Sequence, residues 1–178
     1  MRRRLSAEHG FGVMQGLFSF LIVGGVSAMY MPKMTKMLHH YLLMGVAHEV
    51  GAQIRGARVL AVTTGTTVRV RFNCPDPGEY RVLEVTNRRS IDSDRDRCST
   101  RAFPYPDPSP GKGPDHDGPL MALKDGVQFS DHQDFDIGPT GEITPVGGST
   151  IPIPITVSDG ERTFTMNVLA SGGVEMLE

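Results

Sequence analysis

Histidine is the first side chain to test for catalysis or metal binding here, because it exchanges protons near neutral pH and ligates metals. His39 and His40 are adjacent, so on a helix they point to different faces and cannot chelate one ion together. His132 stands near Asp131 and Asp134, but no Gly-x-Ser-x-Gly or comparable nucleophile motif accompanies it. A phosphate-binding glycine loop is also missing from the sequence. We therefore predict that the chain is not an enzyme and that it uses no cofactor.

The acidic run from Asp92 to Asp96 is similar to the opening of a calcium-binding loop. An EF-hand also needs glycine at the sixth position and glutamate at the twelfth, where this chain has Arg97 and Phe103. The motif therefore fails, and we predict no bound metal. The open alternative is a calcium site of another kind, built from Asp115, Asp117 or the acids between Asp131 and Asp136.

Two cysteines, Cys74 and Cys98, are separated by 24 positions. In a chain exported to an oxidising space they predict one disulfide. Such a bridge stabilises the fold by roughly 3 kcal/mol, because it restricts the unfolded chain. Two unpaired thiols are the alternative. Zinc is not expected, since no Cys-x-x-Cys or neighbouring histidine pair completes a tetrahedral set.

The charge distribution argues against nucleic acid as a partner. The chain has 18 basic and 20 acidic residues, and three of the basic ones are Arg2, Arg3 and Arg4 at its start. The remainder is therefore mildly acidic and gives no general attraction to phosphate. The strongest candidate for a nucleic-acid contact is a group of five arginines with acidic residues at 92, 94 and 96 interleaved. These arginines are Arg88, Arg89, Arg95, Arg97 and Arg101.

The segment from Phe11 to Met31 carries no formal charge, and its 21 residues match the roughly 20 that span a bilayer as a helix. Arginines directly before it favour a cytoplasmic start and export of the rest. The prediction is a single-pass bacterial inner-membrane protein with a periplasmic carboxy-terminal domain. Two alternatives stay open: a secretory signal peptide with its cleavage site at Val26–Ala28, and a plain single-span anchor.

Apolar residues continue at helical spacing beyond this segment. They predict one helix over residues 11–62, transmembrane over 11–31 and amphipathic over 32–62. The residues that form the amphipathic stripe are Met34, Leu38, Tyr41, Leu42, Val46, Val50, Ile54, Ala57 and Ala61.

Residues 63–178 change to the two-residue period of β-strands. Thr66–Phe72 alternates strictly, and Glu79–Val85 follows it across a turn rich in proline and glycine, which predicts a hairpin. Residues 87–126 are dominated by Asp, Arg, Pro and Gly and are predicted to be a long surface loop. Further short strands are predicted at Val127–Phe129, Phe135–Ile137, Ile151–Val157, Arg162–Leu169 and Gly173–Leu177.

Several of these features together resemble type IV pilins and pseudopilins, specifically minor subunits of the GspH/FimT type. A basic leader (residues 1–10) ends in Gly10 before Phe11, and Gly24 and Pro32 lie at matching offsets within the apolar helix. The hairpin near residue 160 and the terminal Gly-Gly-Val are also similar to that family. One departure is Gln15, where the family usually has glutamate; it favours a minor or tip subunit.

The resemblance implies an α+β, pilin-like fold: a long N-terminal, partly transmembrane helix packed on a C-terminal antiparallel β domain. It implies cleavage by a prepilin peptidase between Gly10 and Phe11, N-methylation, and assembly contacts at Gln15, Gly24 and Pro32. The expected function is assembly or priming of a type II secretion pseudopilus or type IV pilus, which helps protein export. The partners are other pilin or pseudopilin subunits, the inner membrane and an exported substrate. The alternatives are a DNA-binding minor pilin for DNA uptake and an unrelated anchored or secreted β domain.

Overall fold

The computed structural model describes residues 11–92, 94–108, 111, 114–124, 126–148 and 150–177. The chain divides into two compact units, unit 1 from Met1 to Tyr41 and unit 2 from Leu42 to Glu178. Helix α1 extends from Phe11 to Thr64 and so contributes to both units. Gly10 lies outside the described residues. Phe11 and Pro32 have helical backbone, but their side chains are not among those described.

No helix in the described part of the chain combines the length and the apolar character that crossing a bilayer requires. The predicted transmembrane span over residues 11–31 is therefore wrong, and so is the predicted single-pass location in the inner membrane. The polar side chains of Gln15, Ser19 and Ser27 and the glycine pair at positions 24 and 25 interrupt the apolar residues of this segment.

The predicted fold class is likewise wrong in its defining element, the partly transmembrane N-terminal helix, because α1 has the length but lacks the apolar character of a membrane span. The structure shows an α+β chain with nine strands in two antiparallel sheets among the described residues. The strands are β1 (Val68–Phe72), β2 (Glu79–Glu84), β3 (Leu120–Ala122), β4 (Gln128–Asp131), β5 (Phe135–Ile137), β6 (Ile143–Pro145), β7 (Ile153–Ser158), β8 (Thr163–Val168) and β9 (Val174–Leu177).

Sheet A has the strand order β3-β2-β1-β5-β6, and sheet B has the order β4-β7-β8-β9. The hairpin of β1 and β2 pairs Val70 with Val82, and the hairpin of β7 and β8 pairs Ile155 with Met166. In both hairpins, apolar and polar side chains alternate on each side of a turn that contains a glycine with positive φ. The glycine is Gly78 in the first hairpin and Gly160 in the second. The edge strands β3 and β6 were not among the predicted strands, and β3 lies within the segment that was predicted to be a loop.

The core of unit 2 lies between the second part of α1 and the inner faces of both sheets. Val46, Val50 and Ile54 on the helix are fully buried, at the spacing of one helical stripe. They belong to one apolar cluster with Val68 and Val70 of sheet A and with buried residues of sheet B, among them Ile155, Val157 and Met166.

Residues 87–126, predicted as one long loop, contain regular structure. Helix α2 covers Arg89–Asp92, a short 3₁₀ helix covers Arg95–Cys98, and β3 adds a strand to the edge of sheet A. Buried contacts made by residues distant in the sequence hold this segment, and the composition of the segment itself does not reveal them. We call residues 94–118 the covering segment, because Cys98, Arg97 and Gly118 pack or bond against strand β2.

Within unit 2, the Arg58 side chain of α1 lies against two turns. A Cβ built at Gly141 falls 2.6 Å from Arg58 Nε, and one built at Gly172 falls 2.6 Å from Arg58 Cδ. Both glycines also have positive φ, 83° and 79°. Backbone conformation therefore favours glycine at both positions, and a Cβ at either would force the Arg58 side chain to move.

Candidate functional site

Unit 1 presents a continuous set of exposed apolar side chains on α1. Those described are between 52% and 80% exposed, and none of them belongs to a buried cluster. We call this set the apolar helical surface; it consists of Val13, Met14, Leu17, Phe18, Phe20, Leu21, Ile22, Val23, Val26, Tyr30, Met31, Met34, Met37, Leu38 and Tyr41. Exposed apolar area of this extent is typical of a surface that another molecule covers.

Two of the predicted assembly residues lie within this surface. Gln15 is exposed, and its backbone carbonyl accepts a hydrogen bond from Ser19 Oγ at 3.0 Å. Gly24 is also exposed, and no atom lies within 4 Å of a Cβ built on it. Gln15 and Gly24 are therefore both accessible to another molecule.

The second candidate is a buried charged centre between β2 and the covering segment. Cys74 and Cys98 form a disulfide with a Cα–Cα distance of 5.6 Å, and they pack with Leu83 in a small buried cluster. Two arginines are buried beside this cluster, Arg81 (0% exposed) and Arg97 (1% exposed). Buried charges of this kind are rare unless they are paired.

Among the described residues, the hydrogen-bond acceptors for Arg81 are backbone oxygens. Its Nε donates to the Gly118 carbonyl at 2.7 Å and its Nη1 to the Cys98 carbonyl at 3.3 Å, while its Nη2 has no hydrogen-bond partner. Desolvation lowers the pKa of Arg81, the nearby Asp117 carboxylate opposes that effect, and the Arg97 charge adds to it. Arg81 therefore fixes the covering segment to β2 without a carboxylate of its own.

Arg97 forms the ion pair of this centre. Its Nη1 and Nη2 donate to the two oxygens of Asp117, and Nη2 also donates to the Glu84 carbonyl at 3.1 Å. The guanidinium carbon lies 4.5 Å from the centroid of the Phe103 ring, a cation–π arrangement. Its Nε is buried without a hydrogen-bond partner. Asp117 therefore pairs with Arg97, and it acts on Arg81 through its charge.

Next to this centre, the outer face of sheet A carries two ion pairs, one between β1 and β5 and one between β1 and the residue that precedes β5. Arg69 donates from Nε and Nη2 to both oxygens of Asp136, at 2.6 and 2.9 Å. The hydrogen bond to Asp136 raises the pKa of Arg69 further. Arg71 Nε lies 3.7 Å from Asp134 Oδ2, and burial raises the pKa of the Asp134 carboxyl above its usual value.

The arginine group considered for DNA is not assembled as a basic surface. Arg97 is buried and paired with Asp117, so it is not available to phosphate. Arg88 and Arg101 are exposed, and the side chains of Arg89 and Arg95 lie outside the described part of the chain. Only two of the five candidates are therefore shown at the surface.

His132 belongs to an aromatic cluster. Its ring centroid lies 6.0 Å from that of Phe72 and 6.2 Å from that of Phe129, and its Nδ1 lies 3.4 Å from Asn73 Nδ2. Among the described residues, no group of three His, Cys, Asp or Glu side chains is placed to hold a metal ion. The structure therefore brings His132 together with aromatic rings and an amide.

Arg81 was not predicted from the sequence to be a functional residue, and Arg97 was considered only in the failed EF-hand motif and in the basic group tested for DNA. The available signal was the pattern of β2, in which Val82 and Leu83 are both apolar although they face opposite sides of the sheet. A strand that is apolar on both faces is covered on both faces. Arg81 shares a face with Leu83, so this pattern indicates that the arginine is covered too.

Comparisons of the chain with protein-family models, with curated proteins and with solved structures find no match.

Proposed function

We propose that this chain is a non-enzymatic subunit of a type II secretion pseudopilus or type IV pilus, in which the apolar helical surface packs against helices of neighbouring subunits. The observation that carries the proposal is the exposure of that surface along α1 from Val13 to Tyr41. Water in contact with so much apolar area is unfavourable, and burial against other subunits removes this cost.

The distribution of the surface around the helix favours several neighbours. Phe20, Leu21, Ile22 and Val23 are consecutive and all exposed, and four consecutive residues sweep about 300° of a helix. A single partner helix covers only one stripe of such a helix. A helix that is apolar on all sides is typical of a position with neighbours all round it. A bundle of subunit helices along a fibre axis supplies such neighbours.

The mechanism begins with cleavage by a prepilin peptidase between Gly10 and Phe11. The new amino terminus then enters the fibre with α1, and unit 2 presents its β-sheets to partner subunits or to an exported substrate. The covering segment is suited to contact a partner, because the Cys74–Cys98 disulfide and the buried Arg97–Asp117 pair fix it at positions near both of its ends.

Site-specific crosslinking in the native cells tests the assembly. The only two cysteines of the chain are bonded to each other, so an introduced cysteine is the single free thiol. Phe18→Cys and Phe20→Cys place thiols on nearly opposite sides of the helix, and both are expected to crosslink to neighbouring subunits. Val59→Cys, an exposed apolar position of α1 in unit 2, is the matched control. Crosslinking at positions 18 and 20 no stronger than at position 59 contradicts the proposal.

Mass spectrometry of the amino terminus tests the processing step separately. A mature chain that starts at Phe11 with a methylated amine is expected. A start at Met29 supports the signal-peptide alternative, and together with absent crosslinking it would favour a β domain that belongs to no fibre.

A further inference from the structure

Methionine is concentrated in one stretch of α1. Five of the ten methionines of the chain lie between positions 29 and 44. Within this stretch Met31, Met34 and Met37 follow one another at intervals of three residues, and His40 comes next at the same interval. The three methionines are 69%, 63% and 57% exposed, and His40 is exposed as well. We propose that Met34, Met37 and His40, all in unit 1, bind one soft monovalent metal ion, Cu(I).

Helical geometry makes neighbours of these side chains. Residues three positions apart on a helix surface have about 5–6 Å between their Cβ atoms. A methionine side chain is unbranched and has three rotatable bonds, so Met34 and Met37 can both reach one ion at that separation. His40 stands three positions beyond Met37, and its ring centroid lies 6.0 Å from that of Tyr41. Met37 is therefore the central ligand, with Met34 on one side and His40 on the other.

The chemistry of the donors selects the ion. Thioether sulfur is a soft ligand that favours Cu(I), and imidazole nitrogen also suits copper. Calcium and magnesium need oxygen ligands, which these three side chains lack. The EF-hand and zinc patterns missing from the sequence are built from oxygen, thiolate or imidazole ligands, so their absence does not exclude a thioether site.

Stronger soft donors do not compete with this set. Cys74 and Cys98 are bonded to each other, and the chain has no other cysteine, so no thiolate is available to the ion. Met166 is fully buried, and Met176 packs against the core of unit 2. The exposed thioethers of α1 are therefore the soft sulfur donors that an ion in solvent can reach among the described residues.

The change of residue type along the apolar helical surface supports a role for sulfur. Its side chains before position 27 are mostly branched or aromatic, whereas those from position 30 onwards are methionine, tyrosine and one leucine. Leucine and methionine have nearly equal helix propensity and exchange well in packed surfaces, so neither helix formation nor packing requires this change. The thioether is the property that methionine adds.

Charge favours a monovalent ion. Lys33 and Lys36 are interleaved with the methionines in the sequence, and positive charges repel a cation. The Coulomb energy is proportional to the charge of the ion, so Cu(I) meets half the repulsion that a divalent ion meets. The same lysines therefore disfavour divalent copper and zinc more strongly than Cu(I).

Titration with silver nitrate tests the site in the full-length chain. Ag(I) is soft and monovalent like Cu(I), and it needs no reductant, so the disulfide stays closed. Calorimetry in a chloride-free buffer is expected to show one ion bound per chain. Leucine keeps the apolar character of methionine without its sulfur, so the double variant Met34→Leu with Met37→Leu is expected to lose this ion. Met14→Leu is the matched control and keeps it, because Met14 is 64% exposed on the same helix but has no methionine or histidine three or four positions away.

Copper absorption spectroscopy of the chain loaded with Cu(I) identifies the ligands, and sulfur neighbours are expected. Silver bound equally by wild type and the double variant overturns the proposal and indicates adventitious binding at other donors. Silver binding without sulfur-ligated Cu(I) also overturns it, as does a wild-type chain that binds neither ion. Since leucine preserves the apolar helical surface, crosslinking at positions 18 and 20 is expected to be unchanged in the double variant. Failure of the metal site and failure of the proposed fibre function are therefore separate outcomes.

Discussion

Arg97 and Asp117 are 20 positions apart in the covering segment, and they meet through two nitrogens and two oxygens in the interior of unit 2. Their side chains are 1% and 6% exposed. The same guanidinium reaches the Glu84 carbonyl at the end of β2. The ion pair therefore joins two distant positions of the covering segment, and the hydrogen bond to Glu84 attaches the segment to sheet A.

Asp117→Asn is expected to be strongly destabilising, because it leaves the Arg97 charge buried without its counter-charge. Breaking a buried pair on one side typically costs about 3–5 kcal/mol. Urea unfolding measures the loss. Glu49→Gln is the control, since it also removes one carboxylate, and Glu49 is 49% exposed in an ion pair with Lys124. The control is expected to change the free energy of unfolding by less than about 1 kcal/mol. Equal effects of the two variants would show that the buried pair has no special role.

Reduction of the Cys74–Cys98 disulfide is expected to lower the free energy of unfolding by about 3 kcal/mol, because the sequence separation of 24 sets the restriction on the unfolded chain. Guanidinium unfolding with and without reductant measures this change. The double variant Cys74→Ala with Cys98→Ala is the control, and its stability is expected to be independent of reductant. A wild-type curve that does not respond to reductant contradicts the prediction.

Gly172→Ala is expected to lower the free energy of unfolding by more than the positive φ at this position explains. Positive φ costs a non-glycine residue roughly 1–2 kcal/mol, and here the new Cβ also meets the Arg58 side chain at 2.6 Å. Gly160→Ala is the matched control, because Gly160 has a φ of 90° and open space around its Cβ position. Chemical denaturation of both variants gives the comparison.

A double-mutant cycle separates the steric part at Gly172. In a chain that already carries Arg58→Ala, the cost of Gly172→Ala is expected to fall to that of Gly160→Ala, a coupling of roughly 0.5–3 kcal/mol. The steric explanation is wrong if the cost of Gly172→Ala is the same with and without Arg58.

The titration of Asp134 predicts a pH dependence of stability. Burial raises the pKa of this carboxyl above its ordinary 3.8, although the Phe72 N–H and the Arg71 charge oppose the shift. Because the pKa is higher in the folded state than in the unfolded state, the protonated carboxyl favours folding. This stabilisation is complete below the unfolded pKa, and it is lost as the pH rises through the folded pKa. Wild type is therefore expected to gain stability relative to Asp134→Asn as the pH falls from about 7 towards about 4.

Urea unfolding of wild type and Asp134→Asn across that pH range checks the sign. Asp136→Asn is a useful comparison, because Asp136 accepts two hydrogen bonds from Arg69. A difference between wild type and Asp134→Asn that is constant with pH, or that shrinks as the pH falls, contradicts the burial effect.

Local patterns alone were enough for part of the fold. The alternation of Val68, Val70 and Phe72 and the turn at Gly78 define the hairpin of β1 and β2, because side-chain direction in a strand repeats every two residues. The stripe through Val46, Val50 and Ile54 likewise follows from the helical period. These elements depend on neighbouring residues, so one sequence is sufficient to predict them.

Apolar composition at the amino terminus was not sufficient to predict its environment. The exposed residues from Val13 to Tyr41 are compatible with a bundle of helices and with a signal peptide, because the hydrophobic effect is non-directional and does not identify a partner. The span predicted over 11–31 was wrong because no helix in the described part of the chain is long and apolar enough to cross a bilayer. The fibre remains a proposal that crosslinking tests.

The amino-acid sequence by itself determined the hairpins, the buried helical stripe and the two cysteines that can form a bridge. Only the tertiary structure decided that Arg81 and Arg97 are buried, that Asp117 pairs with Arg97, and that a segment rich in proline and aspartate covers sheet A. The physical reason is range. Periodicity and turn chemistry act over a few residues. These charged residues are far apart in the sequence, and they meet only when the chain folds.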